Sequence, residues 1–244
     1  MDTSSQSTDV KRRAKTAYDS FPVVWPETDQ WSSHTSAILD AVVHRFAFDP
    51  DQAILNAGCG GNDYGLGEKA VNWINLDISF QQCRNMRRAI VADVESIPLA
   101  NDLFDVVLCI GAVLNYCDPY TALPELFRVA KPGARILIDF ETTHSAELLF
   151  STHWGKRVSV IERAYAGRPD KTFLFSEDHI RRVIESSGGR VVQTERYHTA
   201  TAVWLRIAPK ERIPGIVLSL DRFLSRVPLL NAVASNSICL CQKL

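Results

Sequence analysis

The sequence predicts an α/β fold in which helices cover both faces of a mostly parallel sheet. Between residues 53 and 140, five short apolar runs alternate with polar or helical stretches, which is the pattern of βαβ units. Two further strand-like runs, 190–198 and 235–244, lie near the C-terminus. Together these runs predict a sheet of seven strands.

The first five predicted strands have the length and apolar character of buried strands in such a sheet. They are AILNA (53–57), VNWINLD (71–77), AIVAD (89–93), FDVVLCIGA (104–112) and ARILIDF (134–140). RVVQTERYH (190–198) is predicted as the sixth strand, and SNSICLCQKL (235–244) supplies the seventh.

Two helices can be placed between these strands. Before the fifth strand, apolar residues repeat at the spacing of an amphipathic helix: Leu123, Leu126, Phe127 and Ala130. Pro124 is expected in the first turn of this helix, and KPG (131–133) is expected to end it. A second helix is predicted to begin after Ser176 and to end at Gly188.

Two regions fall outside this alternation and are candidates to cover a pocket. We expect residues 1–12 to be a disordered tail, and residues 13–244 to form a single domain. Within that domain, 13–48 is predicted as an aromatic-rich N-terminal cover and 141–175 as a lid-like insertion. Residues 11–34 and 141–175 are expected to flank one pocket and to be more mobile than the sheet when no cofactor is bound.

The composition of the chain argues against several classes of function. The 244 residues include 27 basic and 28 acidic side chains, so the chain carries no strong nucleic-acid signal. We expect no transmembrane segment and no secretory signal. Six cysteines without a CxxC pair predict reduced thiols and a cytoplasmic protein. Cys239 and Cys241 are expected to pack rather than to bind a metal, and no metal site is predicted.

The most apolar long segment is PGIVLSLDRFLSRVPLLNAVA (214–234). Asp221, Arg222 and Arg226 interrupt it, which favours an amphipathic surface helix. Contact of this segment with a membrane or a partner is the alternative, and the oligomeric state is left open.

The glycine-rich stretch ILNAGCGGNDYG (54–65) follows the first predicted strand. A P-loop is excluded because no Lys-Ser or Lys-Thr pair follows these glycines. A dinucleotide fingerprint would need a third glycine where Asp63 stands, and that carboxylate would repel a pyrophosphate. S-adenosylmethionine (SAM) has no phosphate, so a GxG turn is sufficient for it.

The ordered series of motifs in 52–140 resembles the class I SAM-dependent methyltransferases, and their type 11 group most closely. NAGCGG resembles their first motif, NWINLD their second strand with its terminal acidic residue, VADVESIPLANDLFDVVLC their third and fourth strands, and ALPELFRVAKPGARILID the helix and fifth strand. The resemblance implies a Rossmann-like sheet of order 3-2-1-4-5-7-6 with an antiparallel last strand near 236–243.

The resemblance also implies a set of cofactor-binding residues. Gly58 and Gly60 would lie beneath the methionine part of SAM, Asp77 would accept the ribose hydroxyls, and Asp93 with Val94 would contact adenine. The full set is Asn56, Gly58, Cys59, Gly60, Asp77, Ile78, Asp93, Val94, Cys109, Ile110 and Gly111.

Two residues depart from the family pattern. Asn56 stands where the family usually has Asp or Glu, so charge complementarity toward the ammonium of SAM is reduced. Asn62 stands at the position of a third glycine, and Asn is one of the few other residues that readily adopts left-handed backbone.

The sequence indicates less about the methyl acceptor than about the cofactor. If the acceptor is a hydroxyl, a general base helps, and the candidates are His144, His153 and His34. Asn115, Tyr116 and Glu141 are predicted to contact the substrate, because they follow strands at the edge where open α/β sheets bind ligands. The remaining histidines, including His198, are expected away from the pocket.

We therefore expect a SAM-dependent methyltransferase that acts on a small molecule and releases S-adenosylhomocysteine, with O-methylation favoured over N- or C-methylation. A glycan, protein or RNA acceptor is one alternative. A SAM-binding, methyltransferase-like scaffold without transfer activity is the other.

Overall fold

A seven-stranded sheet of order β3-β2-β1-β4-β5-β9-β8 organises the protein, and a two-stranded hairpin, β6-β7, lies outside it. The computed structural model describes residues 3–26, 29–46, 49, 51–165, 168–208, 212–225 and 227–244. When the strands of the large sheet are counted in chain order without the hairpin, the order is the predicted 3-2-1-4-5-7-6.

Strand pairing in the large sheet agrees with the prediction of a mostly parallel sheet. The strands are β1 (Ala53–Ala57), β2 (Asn72–Asp77), β3 (Ala89–Val91), β4 (Phe104–Cys109), β5 (Ala130–Glu141), β8 (Gly189–Tyr197) and β9 (Asn236–Lys243). The pairs among β1 to β5 are parallel. Strand β9 runs antiparallel to both β5 and β8, as predicted for the last strand.

Helices cover both faces because side chains alternate along each central strand. In β1, Leu55 packs into a core with Leu126 of one helix and Ile180 of another, whereas Ile54 packs on the opposite face. The opposite core includes Leu39 and Val43 from a helix near the N-terminus. The sheet is therefore buried on both sides at its centre.

The helices are α1 (Thr3–Ser20), α2 (Gln30–Arg45), α3 (Phe80–Cys83), α4 (Pro119–Val129), α5 (Glu177–Ser186), α6 (Thr199–Leu205), α7 (Gly215–Leu224) and α8 (Pro228–Asn231). Helix α5 begins after Ser176, whose side chain accepts from the His179 N–H, as predicted. Helix α4 begins at Pro119, so Pro124 lies inside the helix rather than in its first turn. Ala130 belongs to β5 instead of α4.

Two further expectations were wrong. The tail 1–12 is helical from Thr3 onward, because it forms the first half of α1. The segment 214–234 does not form one helix: α7 ends at Leu224, and α8 is a separate single turn. Among the described residues, no helix is long and apolar enough to span a membrane.

The insertion 141–175 contains an antiparallel hairpin that the sequence analysis did not predict. Its strands are β6 (Val158–Tyr165) and β7 (Arg168–Phe175). Phe173 and Phe175 of β7 are buried in the main core, so the hairpin is anchored to the sheet's helical layer. It lies beside the carboxyl end of β5, where Thr143 N–H donates to the Phe175 carbonyl over 3.0 Å.

The glycine-rich stretch after β1 leads into a series of turns through residue 71, and no helix follows it directly. Side-chain caps hold these turns: the Tyr64 N–H donates to Asn62 Oδ1, and the Gly65 N–H donates to Asp63 Oδ1. The glycine-rich stretch therefore offers backbone N–H groups but no helix N-terminus.

Candidate active site

A cavity of about 710 Å³ lies at the carboxyl ends of β1, β2 and β4, which is the edge where parallel α/β sheets bind ligands. Its walls come from the strand ends, from α1 and from the loop after β4. The lining residues are Lys11, Ala14, Tyr18, Val24, Trp25, Gly58, Cys59, Gly60, Tyr64, Asp77, Ile78, Asp93, Val94, Ile110, Gly111, Val113, Tyr116 and Cys117. We call this space the first cavity.

The backbone of the glycine-rich turn forms the floor of the first cavity. The N–H groups of Gly58 and Cys59 both donate to the Leu76 carbonyl, so the turn is tied to β2. Gly58 has a φ of +75°, and a Cβ added there would lie 2.3 Å from Cγ2 of Val113. Only glycine can therefore hold this close approach between the turn and the loop after β4.

Asp77 ends β2 with its carboxylate facing the first cavity. Its Oδ2 accepts from the Gly60 N–H over 2.8 Å, and its Oδ1 accepts from the Ser79 N–H over 2.9 Å. Burial raises the pKa of Asp77, and these backbone bonds oppose the rise. Each carboxylate oxygen can accept a further hydrogen bond, so the group is positioned to receive a pair of hydroxyls.

Asn56 lies behind the turn and does not line the cavity. Its side-chain amide donates to the Asn62 carbonyl over 2.8 Å and to Asn75 Oδ1 over 3.0 Å. The Trp73 indole donates to the same Asn75 oxygen. An amide serves here because it donates to two oxygens, which a carboxylate could not do.

Helix α1 closes the first cavity near the end of β3. The Lys11 ammonium lies 2.8 Å from Asp93 Oδ2 and 2.5 Å from Glu95 Oε2. The second Asp93 oxygen accepts from the Glu95 N–H. Both Asp93 oxygens therefore already have partners, although each can accept again.

A second, larger cavity of about 1480 Å³ adjoins the first and shares four lining residues with it: Tyr18, Trp25, Gly111 and Tyr116. The predicted cover and the predicted lid-like insertion both contribute walls, through Trp31 and Thr35 from the cover and Glu147, Arg163, Asp170 and Thr172 from the insertion. The other lining residues are Ala112, Asp139, Glu141, Tyr197, His198, Leu205, Ala208, Ser235 and Asn236.

The second cavity carries an excess of carboxyl groups. Among the residues that the structure describes, its lining includes Asp139, Glu141, Glu147 and Asp170 against a single guanidinium, that of Arg163. Arg163 Nη1 lies 2.9 Å from Glu141 Oε2, and its Nη2 lies 3.7 Å from Glu147 Oε2. Burial raises the pKa of both Glu147 and Asp170, and the Tyr116 hydroxyl, which donates to Asp170 over 2.8 Å, opposes the rise at Asp170.

Asp139 lies on β5 beneath the junction of the two cavities. Its Oδ2 accepts from the N–H groups of Gly111 and Ala112, and its Oδ1 accepts from the Tyr197 hydroxyl over 2.9 Å. Complete burial raises the pKa of Asp139 to about 6, although these three bonds favour the charged form. The loop after β4 is thus held by a carboxyl that titrates near neutral pH.

A family model described as a methyltransferase domain, of type 11, matches residues 55–138, which run from β1 into β5 and include the glycine-rich turn and Asp77. Residues 55–138 are thus similar to a methyltransferase domain. The fold is shared with a solved S-adenosylmethionine-dependent methyltransferase of Listeria monocytogenes, at 11% identity and a TM-score of 0.60 over 85% of this chain and 99% of that one.

The curated relatives match this chain over segments of different length. The malonyl-[acyl-carrier protein] O-methyltransferase of Herminiimonas arsenicoxydans is 34% identical over 113 residues, 42% of each chain. The chain matches this relative and several others over less than half of their length. The demethylmenaquinone methyltransferase of Thermobifida fusca is 25% identical over 201 residues, 77% of this chain and 80% of that protein.

A solved structure shares the fold across the whole chain. The 1,6-didemethyltoxoflavin-N1-methyltransferase of Burkholderia thailandensis, solved with its substrate and S-adenosylhomocysteine, has a TM-score of 0.56 at 14% identity, and the likeness covers 100% of this chain and 91% of that one. At this identity the likeness shows the fold alone.

The structure brings most of the residues predicted for the methyltransferase domain's cofactor to the first cavity. Nine of the eleven line it, and the two others are Asn56 and Cys109. Cys109 faces the main core instead, where burial raises the pKa of its thiol to about 12. Strand alternation explains this placement, because Cys109 is the last residue of β4 and its neighbour Ile110 faces the cavity.

Of the three residues predicted to contact the substrate, Tyr116 and Glu141 line the second cavity. Asn115 does not, and it is completely buried. Its amide donates to the Phe173 carbonyl of the hairpin, and its Oδ1 accepts from the Glu141 N–H over 3.1 Å. Asn115 therefore joins the loop after β4 to β5 and β7.

The three histidines predicted as bases are absent from the lining of both cavities. His144 packs its ring against Trp154 and faces a separate cavity beside α5. His153 Nδ1 lies 2.5 Å from Ser159 Oγ in the hairpin region. His34 Nε2 lies 3.3 Å from Asp221 Oδ2 in a buried cluster. The histidine that does line the second cavity is His198, which was expected elsewhere.

Residues from α1 were the main omission from the predicted site. Lys11, Ala14 and Tyr18 line the first cavity. A signal existed, since Val10, Ala14 and Tyr18 follow the spacing i, i+4, i+8 of one helix face. Lys11 lies in the segment 1–12 that was predicted as a disordered tail, whereas Ala14 and Tyr18 belong to the predicted N-terminal cover.

Proposed function

We propose that this protein transfers a methyl group from SAM to a small molecule held in the second cavity. The observation that carries the proposal is the junction of the two cavities. Gly111 and Tyr116 line both spaces, so a molecule in the second cavity would lie next to the end of the cofactor that the family directs toward strand β4. Bound SAM supplies an electrophilic methyl group on a sulfonium.

The residues of the first cavity fit this cofactor. Gly58 leaves room for a close approach to the backbone, and Asp77 would accept the two ribose hydroxyls with its remaining lone pairs. Val94 and Asp93 lie where the adenine would be held, and Ile110 and Gly111 lie beside the methionine end. Asn56 would support the turn from behind rather than contact the ammonium.

The lining of the second cavity favours an acceptor that is neutral or positively charged. Four carboxyls and one guanidinium would repel a carboxylate or a polyanion such as RNA. We infer O-methylation of a hydroxyl, in keeping with the sequence analysis. The carboxyls of Asp139 and Glu141 replace the three histidines as candidates to accept the hydroxyl proton.

N-methylation of an amine is the second candidate. The excess of carboxyl groups supports it, because an ammonium would neutralise Glu141 or Asp170 before it loses its proton. Tyr116 donates to Asp170, so that carboxylate is oriented toward the shared wall.

The test combines binding with transfer. Calorimetry should show that SAM and S-adenosylhomocysteine bind the full chain, and methyl-labelled SAM should then label members of a panel in which each scaffold carries a hydroxyl, an amine or a carboxylate. We expect label in hydroxyl or amine compounds and none in the matched carboxylates. Binding without any transfer across small molecules, glycans, proteins and RNA would instead support a scaffold, and no binding would contradict the proposal.

A further inference from the structure

Beside the second cavity lies an unusual polar group, a buried cluster formed by His34 of α2, His198 just before α6, and Asp221 of α7. One possible ligand atom from each residue lies within 4.8 Å of the others. Asp221 and His198 are each 1% exposed, and His34 is 8% exposed. The cluster joins three helices that lie outside the sheet, and His198 also lines the second cavity.

One nitrogen of each histidine lies close to the same Asp221 oxygen. Asp221 Oδ2 lies 3.3 Å from His34 Nε2 and 3.2 Å from His198 Nδ1. The ligands of a tetrahedral zinc ion with bonds of about 2.0–2.1 Å are separated by about 3.3–3.4 Å. The two separations in the structure fit that spacing.

The hydrogen bonds around His198 leave its Nδ1 available to a cation in one tautomer. Thr35 Oγ1 lies 2.9 Å from His198 Nε2 and 2.9 Å from the Trp31 carbonyl oxygen. A hydroxyl has one hydrogen, so when Thr35 donates it to the Trp31 carbonyl, His198 Nε2 is the donor to Thr35. A neutral imidazole then has a lone pair on Nδ1, which faces an Asp221 oxygen that is itself an acceptor.

Hydrogen bonds to neighbouring groups orient the proposed metal-binding side chains, as is usual around metal sites. Metal-binding histidines usually donate their second N–H to a neighbouring group, and Thr35 fills that role for His198. The other Asp221 oxygen, Oδ1, accepts from the Ala200 N–H over 2.7 Å. Trp31 stacks on the His198 ring at 4.0 Å, and the His198 backbone is held at a φ of +64°. The orientations of His198 and Asp221 are thus set by bonds outside the cluster.

We propose that His34 Nε2, His198 Nδ1 and Asp221 Oδ2 bind a divalent transition metal ion of the zinc class. Two imidazoles and one carboxylate suit Zn²⁺ and the similar Co²⁺ rather than Mg²⁺ or Ca²⁺, which prefer oxygen ligands. Water would complete the tetrahedron. The ion would cross-link α2, α6 and α7, and it would fix the wall of the second cavity that Thr35 and His198 provide.

The experiment uses the full chain without a polyhistidine tag. After purification and dialysis against trace Zn²⁺, elemental analysis should give one zinc ion per chain. Chelation should lower the melting temperature, and Co²⁺ should replace zinc with the intense visible absorption of a tetrahedral site. His34→Gln and Asp221→Asn should abolish stoichiometric binding, whereas His44→Gln, which removes an exposed histidine from the same helix, should not.

The result does not depend on methyl transfer, so it is separate from the proposed function. If either cluster variant fails to fold, the Co²⁺ spectrum of the unaltered protein decides the question. A folded unaltered protein that binds neither Zn²⁺ nor Co²⁺ beyond the level of the folded Asp221→Asn variant would overturn the proposal.

Discussion

The Lys11 ammonium lies 2.8 Å from the Asp93 carboxylate, and this ion pair fastens the first helix over the cofactor cavity. The same ammonium contacts Glu95, so one lysine joins α1 to two carboxylates after β3. Burial lowers the pKa of Lys11, but its bonds with Asp93 and Glu95 outweigh that effect and raise it, so the lysine stays charged at neutral pH. Access to the cavity therefore depends on α1.

Lys11→Met should loosen α1 without removing the apolar stem. We expect faster amide hydrogen exchange across residues 10–18 and weaker binding of S-adenosylhomocysteine, because Ala14 and Tyr18 would no longer be held at the cavity wall. Lys15→Met is the control, since Lys15 pairs with Asp19 on the same helix. Exchange that is equally slow in both variants and the unaltered protein would show that the ion pair does not hold α1.

Asn115 should prove structural rather than substrate-binding. Asn115→Ala leaves the Phe173 carbonyl and the Glu141 N–H without their side-chain partner, and each buried unpaired group costs about 1–3 kcal/mol. We expect the free energy of unfolding to fall by at least about 2 kcal/mol. The dissociation constant of S-adenosylhomocysteine should stay unchanged in the folded variant.

Asn72→Ala provides the matched control for this measurement, because Asn72 is an exposed asparagine that donates to the Asp51 carbonyl at 3.4 Å. Its stability should change little. Equal denaturant midpoints for the two variants would mean that the Asn115 bonds do not support the fold.

The sequence was most informative about the sheet, because strand periodicity and turn residues are local signals. Strand β1 was predicted to the residue, and the Ser176 cap placed α5. The hairpin was missed because charged residues such as Arg163 and Asp170 interrupt the apolar alternation of its strands. These charges face a cavity rather than solvent, and the sequence alone does not distinguish the two environments.

The cofactor side of the site could be predicted because its residues follow consecutive strands in a fixed order. On the acceptor side Tyr116 and Glu141 were predicted, but the other polar groups come together only through long-range packing. Tyr116 and Asp170 are 54 residues apart, and Tyr197 lies 58 residues from Asp139. The histidines that were predicted as bases had suitable chemistry and positions near strand ends, but tertiary structure placed them elsewhere.

Asp139 should make stability depend on pH. Its folded pKa of about 6 lies above the unfolded value of about 3.9, so the protonated form favours the folded state. That contribution is complete below about pH 4 and is lost as the pH rises through 6, which amounts to roughly 3 kcal/mol. Asp139→Asn keeps the shape and cannot ionise.

The comparison is the free energy of unfolding of the Asn variant minus that of the unaltered protein, measured from pH 4 to pH 7.5. We expect this difference to shift in favour of the variant as the pH rises. Asp178→Asn, an exposed substitution on α5, should give a flat difference. A flat difference for Asp139→Asn as well would contradict the raised pKa.

Asp77 should control affinity for the cofactor. Asp77→Ala removes two charge-assisted bonds to the ribose, each worth about 1.5–3 kcal/mol, so the dissociation constant of S-adenosylhomocysteine should rise by at least about tenfold. Asp77→Asn should lose less, because one acceptor oxygen remains. Calorimetry on variants whose circular dichroism matches the unaltered protein provides the measurement. Unchanged affinity in folded Asp77→Ala would exclude the ribose role.

Substitution of Gly58 tests whether the glycine-rich turn must lie close to the loop after β4. A Cβ at this position would lie 2.3 Å from the Val113 side chain, so Gly58→Ala must push the turn away from the loop after β4 and distort the first cavity. Gly65 is the matched control: it also has a positive φ, of +63°, but a Cβ there would meet nothing within 4 Å. Both substitutions place alanine in left-handed backbone, which costs about 1–2 kcal/mol of stability. Only Gly58→Ala should also weaken the binding of S-adenosylhomocysteine, because only there does the added methyl group displace the wall that contacts the cofactor. Equal affinity of the two folded variants would show that this turn does not hold the cofactor.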